Sequence, residues 1–77
     1  MENKTYAIER DGGLLKVGIR DGAFRLSTMS TYGVWTTPSK VNAELVASGW
    51  GDGKWPEPKS SFPPSEVTVV ELTFKEA

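Results

Sequence analysis

The stretch TYAIERDGGLLKVGIRDGAFRLSTM, Thr5 to Met29, holds two Asp-Gly pairs set between three alternating runs. Asp-Gly between alternating segments is a strong hairpin signal, because a two-residue type I′ turn needs φ > 0 at both central positions. Glycine adopts that geometry freely, and aspartate does so more readily than most residues. With Asp21-Gly22 as one loop, Arg20 opposes Ala23, Ile19 opposes Phe24, Val17 opposes Leu26 and Leu15 opposes Thr28. With Asp11-Gly12 as the other, Leu15 opposes Ile8 and Val17 opposes Tyr6.

Both turns then place Tyr6, Ile8, Leu15, Val17, Ile19, Phe24 and Leu26 on one face. A slip of one residue at either turn would send one strand's apolar set to the wrong side. The other face carries Thr5, Ala7, Glu9, Lys16, Gly18, Arg20, Arg25 and Ser27, with Leu14 as its one large apolar member. It reads as the polar, slightly basic side of a sheet wet on one face. The stretch is expected to form a three-stranded antiparallel meander.

The segment Ser27–Ser39 is rich in serine and threonine and embeds Tyr32, Val34 and Trp35. Gly33 marks a turn or bulge there. Pro38 to Ser48 reads as the one helix. Thr37 caps it, Pro38 occupies the tolerated first turn and Gly49 ends it. Val41, Leu45 and Val46 share an arc that is expected to face the meander, with Ala43 and Ala47 opposite. At about 1.5 Å per residue such a helix is on the order of 16 Å long.

Gly49 to Glu66 is rich in glycine, tryptophan and proline and reads as a long irregular loop, a length that in compact domains tends to be functional. Val67 to Lys75 alternates again. Thr68, Val70, Leu72 and Phe74 form the face expected to look inward, and Val67 and Val69 lie on the other. This fourth strand is expected to pair with an edge of the meander. Residues 1–77 thus read as a single α+β domain, an antiparallel sheet with one helix on one face, in the order β-β-β-α-β.

The chain has 77 residues, a formal charge of −1, no cysteine and no histidine. Disulfides, cysteine nucleophiles, histidine bases and the usual zinc sites are therefore excluded. A domain this small without such staples depends on its core or on a partner. No apolar run approaches the roughly 20 residues of a membrane helix. Met1–Lys4 has no signal-peptide core, so a cytoplasmic location is expected.

No chemical motif is complete. Gly49–Lys54 suggests a phosphate loop, but Trp55 follows Lys54 where serine or threonine is required, and Ser48 stands at the first glycine position. Asp52 with Glu57, and Glu66 with Glu71, read as solvated carboxylates. Ser60, Ser61 and Ser65 have no base beside them. An enzyme is not expected, nor is a cofactor.

The aromatics outside the alternation are the remaining signal. Trp35, Trp55 and Phe62, with Lys54 and Lys59 interleaved, suit a protein interface, where tryptophan is enriched at hot spots. Trp50, beside the helix end, reads as core. The expectation is a non-enzymatic protein-binding module presenting the 49–66 loop, of the kind found among phage or mobile-element accessory proteins and inhibitors that act by occupying a surface. The alternative is single-stranded nucleic-acid binding by Lys16, Arg20 and Arg25 with loop aromatics. A homodimer through the edge strand at Val67–Lys75 is a third expectation.

Overall fold

The computed structural model describes residues 2–29 and 32–75. Its elements are β1 (Glu2–Arg10), β2 (Gly13–Leu14), β3 (Lys16–Arg20), β4 (Ala23–Ser27), α1 (Lys40–Ala47), β5 (Lys59–Ser60), a 3-10 turn at Pro64–Glu66 and β6 (Thr68–Lys75). One helix and two mostly antiparallel three-stranded sheets make a small α+β domain.

Both Asp-Gly pairs form the turns their chemistry dictates. Asp11 and Gly12 sit at φ 51° and 80°, and Asp21 and Gly22 at 54° and 77°, the left-handed pairs of a type I′ hairpin. The second hairpin keeps the expected register, Arg20 opposite Ala23, Ile19 opposite Phe24 and Val17 opposite Leu26. At the first, Arg10 opposes Gly13, Glu9 opposes Leu14, and the Leu15 N–H donates to the Ile8 carbonyl at 2.8 Å. β4 ends at Ser27, so the expected Leu15–Thr28 pair does not form.

The meander does not remain one sheet. The middle strand breaks at Leu15, leaving β2 with β1 and β6, and β3 with β4 and β5. Tyr6 does not meet Val17. It exchanges main-chain bonds with Thr37, at 2.8 and 2.9 Å, while the Val17 N–H donates to Gly33 at 2.8 Å and the Trp35 N–H to Leu15 at 3.2 Å. The 32–37 segment thus borders both sheets. The physical reason is burial. A flat ribbon shows its apolar face to one helix, whereas the bend lets Ile8, Leu15, Val17 and Leu26 share a core with Trp35, Ala43, Val46 and Ala47.

The helix is shorter than expected and rolled about its axis. Ser39, not Thr37, is its N-cap, with Oγ accepting from the Asn42 N–H at 3.1 Å. Gly49, at φ 86°, ends it in a Schellman motif. Its N–H donates to Val46 and that of Trp50 to Leu45. Ala43, Val46 and Ala47 form the buried face, while Leu45 is half-buried and Val41 is 73% exposed. Two alanines on the inner side let the helix approach the sheets closely.

β6 pairs with β1 as expected, antiparallel from Glu2 opposite Lys75 to Glu9 opposite Thr68. Its faces are reversed from expectation. Val69 opposes Ile8, and Val67 and Val69 pack on the core. Val70 and Leu72 lie half-buried on the other face, opposite Ala7 and Thr5. Thr68 is exposed, and the Phe74 side chain lies outside the described residues. Both faces of this strand carry valine, so the pairing with Ile8 decides which one turns inward.

Candidate interaction surface

The 49–66 segment is not irregular. It is laced to the outer edge of β4 by main-chain bonds. The Phe24 N–H donates to Gly53 at 2.7 Å, and the Ser61 N–H donates to Leu26 at 3.1 Å. Between them β5 pairs in parallel with β4, Lys59 with Arg25 and Ser60 with Leu26. Pro58 is fully buried. A Cβ on Gly51 would stand 2.1 Å from the Pro58 carbonyl oxygen, so only glycine lets these two stretches of backbone lie together.

The tip of the segment is a tight turn around the cis Trp55–Pro56 peptide bond. The Glu57 N–H donates to Lys54 at 2.6 Å, and the Gly53 N–H donates to Glu57 at 3.0 Å. The Asp52 carboxylate accepts from the Lys54 N–H at 2.8 Å. This turn holds Trp55 against β4. The Trp55 and Phe24 ring centroids lie 5.5 Å apart with planes at 65°, an edge-on contact.

Trp55 thereby forms one wall of an open apolar depression of about 430 Å³. Ile19 and Phe24 line it from the hairpin, Val34 and Tyr32 from the opposite side, and Val17 and Gly33 complete it. Val17 lies in the core and Phe24 packs against it, and the other large side chains of the depression are largely exposed. Trp55 is 58% and Ile19 53% exposed, and Tyr32 and Val34 are exposed as well. A contiguous exposed apolar patch of this kind marks an interaction surface far more often than scattered apolar residues do.

The other expected site residues fall elsewhere. Trp35 is 1% exposed and sits in the core, so it is not available to a partner. Trp50, expected in the core, is 76% exposed and lines no part of the depression. Phe62 packs half-buried against the core beneath Arg10, whose guanidinium carbon lies 4.2 Å from the ring centroid. Arg10 Nε and Nη2 both donate to Glu66 Oε1, at 3.0 and 2.9 Å, closing that side. Lys54 is exposed beside Trp55, whereas Lys59 runs along Gly53 toward Ala23, on the far face.

Lys16, Arg20 and Arg25 share that far face of β3 and β4, and none forms an ion pair among the described residues. The paired residues Ile19 and Phe24, with Trp55, occupy the opposite face. The cations and the groove aromatics are therefore not assembled on one surface. Ile19, Tyr32 and Val34 are the site residues that sequence reasoning missed. The signal for Ile19 was its place beside the Asp21 turn, at the strand end farthest from Leu15, where the two sheets part.

No group of three or more acidic side chains able to hold a metal ion is found among the described residues, and none of their helices is long and apolar enough to cross a membrane. Comparison with known protein families, with curated proteins and with solved structures finds no match to this chain.

Proposed function

We propose that this chain is a non-enzymatic protein-binding module whose contact surface is the depression walled by Trp55, Ile19, Tyr32 and Val34. The carrying observation is that a buried-backbone scaffold holds a mostly exposed tryptophan in place. Gly51, Gly53 and Pro58 anchor the segment, and Phe24 orients the ring. A tryptophan ordered in advance loses little conformational freedom when a partner covers it, which favours binding. Truncating such an anchor typically costs 2 kcal/mol or more of affinity, about 30-fold.

A partner of this surface presents an apolar side chain small enough to enter the depression, with polar groups beside it for Lys54, the exposed neighbour of Trp55. Occupation of a partner's surface is the mode of action, as for an accessory or inhibitory protein. The test is retention of a binding protein by the wild-type domain and by Trp50→Ala, with loss from Trp55→Ala. Equal retention by all three would remove the basis of the proposal.

A further inference from the structure

Among the described residues β6 has a neighbour on one side only. In the sheet β2-β1-β6 it is the terminal strand, and it runs for eight residues. The main-chain groups of Tyr6 pair with Thr37, and the Ile8 carbonyl accepts from Leu15, so Tyr6 and Ile8 point away from β6. The β1–β6 hydrogen bonds therefore run through Thr5, Ala7 and Glu9, opposite Leu72, Val70 and Thr68. By alternation, the N–H and C=O groups of Val69, Glu71 and Thr73 point off the free edge, and no described residue takes them.

Natural sheets blunt such an edge with proline, lysine, a bulge or a short strand. Thr68–Thr73 contains no proline and no lysine, the strand's one lysine being Lys75 at its end, and its register with β1 is unbroken. Its one charge, Glu71, lies 3.8 Å from Lys4. The edge is long, regular and open.

We propose that β6 pairs antiparallel with β6 of a second copy of this chain, joining two three-stranded sheets into one. Outward-pointing groups must meet outward-pointing groups, which restricts the register. Centring the pair on Glu71 sets two carboxylates directly opposite and is disfavoured. Centring it on Val70 sets Leu72 against Thr68 and Glu71 against Val69. Centring it on Leu72 sets Leu72 against its own copy, Glu71 against Thr73 and Val70 against Phe74, with Val69 against Lys75 at the two ends. This self-complementarity selects a second copy as the occupant, and the net charge of −1 leaves little repulsion between copies. The proposal is independent of the Trp55 surface.

The test is sedimentation velocity of the whole chain from micromolar to millimolar concentration. The expected result is a mass rising from 8.4 kDa toward twice that value. Thr73→Pro removes an outward N–H and leaves the β1 ladder intact, so it is expected to stay monomeric with an unchanged circular dichroism spectrum. Should proline unfold the chain, Thr73→Glu alters no backbone group, sets like charges opposite at Glu71 of each copy, and is expected to weaken association by about tenfold or more. A wild-type chain that remains monomeric at millimolar concentration overturns the proposal. So does a dimer that both variants leave unweakened, and so does a monomer whose β6 edge pairs with an added extended peptide instead.

Discussion

Trp55 meets Phe24 edge-on, with ring centroids 5.5 Å apart and planes at 65°. Phe24 belongs to β4 and packs against the core, whereas Trp55 stands on the tip of the 49–66 segment. The contact thus joins an exposed aromatic to the folded interior without burying it. That arrangement separates two properties that usually move together, contact with a partner and contribution to stability.

Trp55→Ala is accordingly expected to leave the fold nearly intact. An edge-on aromatic pair contributes about 0.5–1.5 kcal/mol beyond area burial, so a loss of about 1 kcal/mol is expected. Urea unfolding followed by circular dichroism measures it. A loss above about 3 kcal/mol would mean that Trp55 is a core residue.

Trp35→Ala is expected to behave in the opposite way. The ring is buried among Ile8, Leu15, Leu26 and the helix alanines, and its removal leaves a large cavity. Burying and packing such a ring is worth about 3–5 kcal/mol, which is a large share of a small domain's stability. Thermal denaturation is expected to show a chain mostly unfolded at room temperature, or one melting far below wild type. A melting temperature within a few degrees of wild type would contradict the core assignment.

Phe62→Ala is expected to destabilise without touching recognition. The ring lies under Arg10 and against the core, away from the depression. Half-burial scales the usual cost of removing a phenylalanine to about 2 kcal/mol. Partner binding, measured below the melting transition, is expected to be unchanged. Loss of binding in the folded variant would place Phe62 in the interface after all.

The two glycines Gly51 and Gly18 offer a paired test of how the segment is held. A Cβ at Gly51 meets the Pro58 carbonyl oxygen at 2.1 Å, whereas one at Gly18 meets nothing within 4 Å. Gly51→Ala is expected to lift β5 from β4 and to cost more than about 2 kcal/mol, while Gly18→Ala stays within about 0.5 kcal/mol of wild type. Amide hydrogen exchange at Phe24 and Ser61, whose N–H groups join the segment to β4, should accelerate in the first variant and not in the second.

The two Asp-Gly turns were fully legible, because their geometry is set by residues adjacent in sequence. The parity of Ile8, Leu15, Val17 and Leu26 followed from them and holds in the core. The division into two sheets was not legible, because it depends on where the 32–37 segment returns. Leu14–Leu15, two large apolar residues side by side, break the alternation at the point where the strand changes sheets. The rolled helix reflects close packing of Ala43 and Ala47, which a hydrophobicity pattern undervalues beside Val41 and Leu45. Val67 and Val69 faced inward because Val69 pairs with Ile8, and a strand apolar on both faces cannot declare that choice.

The candidate site was legible only in part. Trp55 was separable from the alternating strands by its proline neighbour and the glycines before it. Trp35 and Trp50 exchanged environments relative to expectation, because burial of an isolated tryptophan depends on distant contacts. Tyr32 and Val34 were hidden in a serine- and threonine-rich stretch, and only the fold brings them opposite Trp55.

The separation of cations from groove aromatics yields a further expectation. Lys16, Arg20 and Arg25 lie across β3–β4 from Trp55. Single-stranded oligonucleotides added at low salt are expected to leave Trp55 fluorescence unchanged, whether or not they are drawn weakly to the basic face. Quenching that disappears in Trp55→Phe and falls steeply with salt would instead support base stacking in the groove.

The proposed role of Trp55 as a recognition anchor is tested by capture from an extract of the cells that encode the chain. Wild type, Trp50→Ala and Trp55→Ala are immobilised at equal density after each is shown to be folded. A protein is expected to be retained by wild type and by Trp50→Ala at equal yield and reduced at least about 30-fold by Trp55→Ala. Retention of the same protein at the same yield by folded Trp55→Ala contradicts it.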